Sequence, residues 1–147
     1  MTEQTADTGN AEDIVFTIEN HIATIRLNRP EKRNAFTIAM IDKWISMLAE
    51  CRDNDDVRCI VLTGTGTAFC SGSDVEKMAD PADGTPLRRK QKLTEHIQLI
   101  PLMLESIDKP FLAAVNGSAI GAGMDMALMA DIRFAARSAR FAETYIK

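Results

Sequence analysis

The chain reads as an α/β fold, and three observations carry that reading. Apolar runs of strand length recur at 14–18, Ile22–Leu27, 60–62 and Phe111–Val115. Two of these runs pass through a glycine-containing loop into an apolar helical pattern, over 60–75 and again over 111–129. Alternation of strand and helix predicts parallel strands, with ligand-binding groups gathered where the strands end at their carboxyl side.

Bulk properties bound the function. At 147 residues the chain is long enough for one domain with a substantial core. Apolar residues make up 46% and charged residues 26%, ordinary values for a soluble globular protein. A formal charge of −4 argues against a nucleic-acid partner. The three cysteines, Cys51, Cys59 and Cys70, form no C-x-x-C pair, which fits a reduced, cytoplasmic setting. With two histidines, His21 and His96, a histidine-rich metal site is not expected. No apolar run approaches the ~18 residues of a membrane span. The first twelve residues are polar and acidic, unlike a signal peptide, and read as a disordered tail (1–12) ahead of a core at 13–147.

In order, Ile14, Phe16 and Ile18 alternate with less apolar neighbours and, with Ile22–Leu27, predict a hairpin turning at Glu19-Asn20. A polar loop with Pro30 follows. Thr37 is placed to cap a helix in which Ile38, Ile41, Trp44, Ile45 and Leu48 form the core face. That helix ends at the solvated run 53–56, and 60–62 is a strand covered on both faces. The segment 64–74 is a glycine loop, 79–86 a flexible one. A long helix is expected over 88–107, with Leu93, Ile97, Ile100 and Leu104 on one face and a break at Pro101. Strands at 132–135 and 139–141 close the pattern. The basic run Arg88, Arg89, Lys90 and Lys92 reads as a solvated face, His96 as a surface or packed residue, and Cys70 as a small core residue.

The stretch 116–131, N-G-S-A-I-G-A-G-M-D-M-A-L-M-A-D, organises the rest. It is read as a glycine turn entering a helix, with Gly117, Gly121 and Gly123 allowing positive φ or close backbone approach. Met124, Ala127, Leu128 and Ala130 make that helix apolar on most faces. A strand, a glycine turn and a helix start leave several N–H groups pointing one way, able to hold a phosphate or the oxygen of an activated carbonyl. A glycine-rich start to a buried helix is the structural alternative. The spacing G-x-x-x-G-x-G does not match a dinucleotide fingerprint.

Four pieces taken together resemble the crotonase (enoyl-CoA hydratase/isomerase) superfamily: L-N-R-P-E-K-R-N-A-F at 27–36, I-V-L-T-G at 60–64, A-F-C-S-G-S-D at 68–74, and K-P-F-L-A-A-V-N-G-S-A-I-G-A-G at 109–123. The resemblance implies a spiral of repeated ββα turns, here without the C-terminal helical region through which such proteins form homotrimers or hexamers. It implies a coenzyme A thioester as substrate, no permanently bound cofactor, and no nucleic-acid or membrane partner. By the same resemblance, Arg29, Lys32 and Ala35 meet the coenzyme, together with Ser71, Gly72 and Asp74, the Ser71 carbonyl facing the adenine. The amides of Ser73 and Ala122 take the place of the oxyanion hole, and Asp125 that of the first catalytic carboxylate. Tyr145 falls where the second glutamate of a hydratase is expected, with Glu143 two residues before it. A carboxylate and a phenol suit isomerisation, carbon–carbon bond chemistry or hydrolysis of a ketoacyl thioester as well as hydration. A non-catalytic acyl-CoA-binding subunit is the rival reading.

Overall fold

A computed structural model describes residues 12–75 and 85–145. The tail expected at 1–12, except Glu12, and most of the loop expected at 79–86 lie outside the described residues. The strands are β1 (Ile14–Glu19), β2 (Ile22–Leu27), β3 (Cys59–Gly64), β4 (Ala68–Cys70), β5 (Phe111–Val115), β6 (Ser118–Ile120), β7 (Ile132–Ala135) and β8 (Phe141–Ala142). The helices are α1 (Ile38–Asp53), α2 (Pro86–Lys92), α3 (Leu99–Glu105) and α4 (Ala122–Leu128).

Two sheets share the chain turn by turn. The larger has the order β1-β2-β3-β5-β7 and the smaller β4-β6-β8. Among the described residues only β1 and β2 are antiparallel; every later pairing is parallel. Each pass therefore lays one strand on the large sheet and one on the small sheet, and a helix returns the chain to the start. Phe36 makes an isolated parallel bridge to Ser73, so the first pass also reaches the small sheet, by a single residue. This is the ββα spiral the resemblance implied.

The core lies between the large sheet and α1. Alternate residues of the strands are buried: Ala23, Ile25 and Leu27, then Ile60 and Leu62, then Phe111, Ala113 and Val115. Against them α1 buries Met40, Ile41, Trp44, Leu48 and Cys51, a helical spacing that gives one apolar stripe. Each large side chain so buried contributes roughly 1.5–3 kcal/mol. Thr37 accepts from the Met40 N–H at 3.3 Å and caps the helix as expected. At the other end the Lys109 ammonium donates to the carbonyls of Cys51 (2.6 Å) and Asn54 (2.7 Å), which α1 cannot satisfy itself.

Several local expectations shift. The hairpin turns at Asn20-His21, both at positive φ (51° and 68°), one residue later than the composition indicated. The helix over 88–107 is two helices joined by a π-helical turn at Leu93–Ile97. The interruption precedes Pro101, which sits in the first turn of α3, where a missing N–H costs nothing. Leu93, expected on the core face, is exposed. Leu128 is exposed as well: the buried residues of α4 are Gly123, Met126 and Ala127, with Ala130 buried just past its end, and Leu128 falls beside them. Short strands β4 and β6 replace what had read as loop, and the last strand begins at Phe141, not at 139.

Candidate functional site

Two glycines let the strands of the small sheet meet the chain beside them. A Cβ on Gly117 would overlap the Thr67 carbonyl, and one on Gly123 would overlap the Cys70 carbonyl. With hydrogen in those places, β4 and β6 pair in parallel, Cys70 beside Ala119, and both end at the same edge. The loop 71–74 leaves one strand there and the start of α4 leaves the other. Gly121, at φ 52° and ψ −129°, makes the turn from strand to helix in a conformation that only glycine adopts freely.

Two amides stand at this edge, those of Ser73 and Ala122. Phe36 lies on one side of Ser73: its N–H donates to the Gly72 carbonyl at 3.0 Å, and its carbonyl accepts from the Asp74 N–H at 2.9 Å. In a parallel bridge the residue between those two bonds points its own N–H to the opposite side, here away from Phe36. Ala122 is the first residue of α4, so its N–H has no partner within the helix. Gly72, at φ 94°, lets the loop come close to the start of α4: a Cβ built on it would stand 3.6 Å from the Ala122 nitrogen.

The loop 28–36 buttresses this edge. Asn34 is fully buried at φ 57°. It accepts from the Arg29 N–H (2.9 Å) and donates to the carbonyls of Thr65 (2.9 Å) and Ala68 (2.8 Å). Asn116 serves the same segment from the other side, accepting from the Gly64 N–H and donating to the Gly66 and Ala68 carbonyls. Sequence reasoning assigned neither asparagine a role. The available signal was an asparagine between Arg33 and Ala35, since asparagine tolerates the left-handed region better than other residues with a side chain.

Arg29 and Asp74, both expected at the coenzyme, are paired with each other. An Arg29 Nη1 donates to Asp74 Oδ2 at 2.9 Å and to the Ala35 carbonyl at 2.8 Å. The two side chains are 12% and 6% exposed, so this is an ion pair largely removed from water. Ala35 is buried, and its carbonyl is the one Arg29 holds. Lys32 is exposed on the same loop, while Ser71, next to it, is bonded through its N–H to the Arg33 carbonyl at 3.1 Å.

Asp125 stands one turn into α4 from the Ala122 amide. Strand β8 pairs with β6, Ile120 beside Ala142, and the Gly121 N–H donates to the Ala142 carbonyl at 2.8 Å. That register carries residues 143–145 over the helix start. The Tyr145 hydroxyl donates to Asp125 Oδ2 at 2.6 Å. Partial burial, the bond to Asp125 and the negative charges of Asp125 and Glu143 all push the phenol above its ordinary range, so it remains a donor at neutral pH. Glu143 turns its Oε1 to the Thr144 N–H at 3.1 Å and does not join the pair.

The other candidates have structural places. His96 Nδ1 meets Asp42 Oδ1 of α1 at 2.6 Å. Burial pushes the Cys70 thiol up to about 11, so it is unsuited to act as a nucleophile, and its Sγ lies 3.2 Å from the Asn34 carbonyl. No three metal-ligating side chains converge among the described residues. Among them, too, no helix is long and apolar enough to cross a membrane.

Comparison with known proteins gives this geometry a context. The family model for enoyl-CoA hydratase/isomerase matches residues 17–147. The chain is 36% identical over 137 residues to the 1,2-epoxyphenylacetyl-CoA isomerase of Escherichia coli, covering 92% of this chain and 52% of that protein. It is 34% identical over 138 residues to the (E)-benzylidenesuccinyl-CoA hydratase of Thauera aromatica, covering 91% and 51%. Among solved structures, an enoyl-CoA hydratase/isomerase family protein from Hyphomonas neptunium superposes with a TM-score of 0.82 at 31% identity, over 90% of this chain and 50% of that one. The chain thus spans about half the length of the curated relatives it matches.

Proposed function

Because the chain belongs to the enoyl-CoA hydratase/isomerase (crotonase) superfamily, we propose that it serves enolate chemistry on an acyl-CoA thioester, with Asp125 as the proton carrier. The observation that supports this most is the 2.6 Å bond from Tyr145 to Asp125, one helical turn from the Ala122 amide. In this reading the thioester oxygen lies between the Ser73 and Ala122 amides. Asp125 removes a proton from a carbon close to the thioester: the C–H bond breaks, an O–H bond forms on Asp125, and the electron pair moves onto the thioester oxygen. Two fixed amide donors stabilise that charge, at roughly 3 kcal/mol for each. Return of the proton to a different carbon completes an isomerisation.

Tyr145 holds the carboxylate through one oxygen and leaves the other for the substrate. Glu143, bonded to its own neighbour, supplies no second carboxylate, which favours proton shuttling by one acid over hydration by two. The coenzyme would lie along Lys32, Ala35, Ser71 and Gly72. The free cysteines agree with a cytoplasmic protein, and a homotrimer or hexamer is the assembly this reading calls for. The test is incubation with a panel of enoyl-, ketoacyl- and saturated acyl-CoA thioesters, with product masses and retention times read together. An unchanged mass with a changed retention time is the expected result. Gain of water would make it a hydratase, release of coenzyme A a hydrolase. Coenzyme A binding without any turnover would overturn the catalytic reading in favour of a binding subunit.

A further inference from the structure

The Arg29–Asp74 pair sits immediately beside the Ser73 amide, and its geometry is that of a clamp. Asp74 follows Ser73 directly. Its N–H is bonded to Phe36, whose own N–H is bonded to Gly72, so the tripeptide 72–74 is tied at both ends to residue 36. The side chains make a second tie. Arg29 joins the Asp74 carboxylate to the carbonyl of Ala35, the residue before Phe36, through a single Nη1 with both of its hydrogens used. Rotation of the 72–74 peptides would have to break both sets of bonds. Electrostatics call for the same partner: an unpaired carboxylate one residue from a developing oxyanion would oppose it, and the guanidinium neutralises that charge.

We propose that Arg29 and Asp74 are positioning residues for the Ser73 amide: they fix its direction and cancel the neighbouring charge, and so act on the carbonyl of a bound thioester and not on coenzyme affinity. This rests on the oxyanion-hole reading above. Lysine cannot replace arginine here, because a single ammonium on a flexible stem does not present the planar fork that reaches both acceptors.

The test uses the full chain and butyryl-CoA carrying carbon-13 at the thioester carbonyl, a saturated probe that neither hydrates nor isomerises. Infrared difference spectra report the carbonyl stretch of the bound probe, and calorimetry its affinity. In the unaltered protein the stretch should move to lower frequency on binding. In Asp74→Asn, which retains shape and an acceptor, and in Arg29→Lys, that shift should shrink by half or more while the dissociation constant changes less than threefold. On a turned-over enoyl-CoA, kcat should fall about tenfold or more with KM little altered. A weakened affinity with an unchanged carbonyl shift would overturn the proposal and return both residues to the coenzyme. Absence of any shift in the unaltered protein would overturn the oxyanion-hole reading, and this inference with it. A normal shift retained in both variants would overturn this inference alone.

Discussion

Replacing Tyr145 by phenylalanine removes one oxygen atom and leaves the ring in place. The lost group donates at 2.6 Å to a carboxylate, and hydrogen bonds to charged groups contribute about 1.5–3 kcal/mol where water is excluded. Tyr145 is 67% exposed, so water can take its place in the free protein and the lower end of that range applies. At about 1.4 kcal/mol for each factor of ten, the expected loss in kcat is about tenfold. Fold stability should change by less than about 1 kcal/mol, as for other exposed positions. Steady-state kinetics on the thioester that the panel identifies give kcat and KM, with a urea melt as the control. Asp125→Asn, which removes the proposed proton carrier itself, should lose about a hundredfold or more, and the double variant should lose no more than Asp125→Asn alone. A Tyr145→Phe protein within twofold of the parent would refute the reasoning. So would fully additive losses in the double variant, since the phenol would then be acting independently of Asp125.

Tyr145 is the single tyrosine of the chain, so the tyrosinate ultraviolet band reports on it alone. Its folded pKa is raised, which means the fold favours the protonated phenol; that contribution is fully present below the ordinary value near 10 and is lost as pH rises through the folded value. At about pH 10.5, where a free phenol is roughly three-quarters ionised, the native protein should show little tyrosinate, and Asp125→Asn should show more. Three-quarters ionisation in the native protein would remove the coupling. Gly123→Ala drives a methyl into the Cys70 carbonyl and should cost about 1–3 kcal/mol in a urea melt, together with most activity; an unaltered midpoint would mean the strands can part without loss. Asn34→Ala strands the Arg29 N–H and the Thr65 carbonyl and leaves the Ala68 carbonyl to Asn116 alone, and should cost about 2 kcal/mol. Asn34→Gly should be nearly as damaging, and if glycine restored full stability the cost would lie in the left-handed backbone and not in the hydrogen bonds.

What the sequence determined by itself was the periodic and the local. Alternation at 14–18 and 22–27 and the helical stripe from Ile41 to Leu48 report burial directly, because a strand has a period of two and a helix of 3.6. Thr37 and the glycines of 117–123 declare a cap and a tight turn through their own chemistry. The motif set named the superfamily for the same reason: backbone constraints restrict which residues can stand there. What only the tertiary structure decided involves pairs far apart in sequence. Three-residue strands such as β4 and β6 carry too few residues to show a period, and exist because each finds the other. Arg29 and Asp74 lie 45 positions apart, and nothing local to either indicates that two charged side chains, expected to face a ligand, bury against each other. Leu128 and Leu93 look like core residues in any window, but exposure depends on which face of the helix the sheet meets. Tyr145 against Glu143 was the sharpest such case: both lie within two residues of the expected position, and the register of β8 on β6, fixed by the bond from Gly121 to Ala142, sends the phenol to Asp125 and leaves the glutamate on its own backbone.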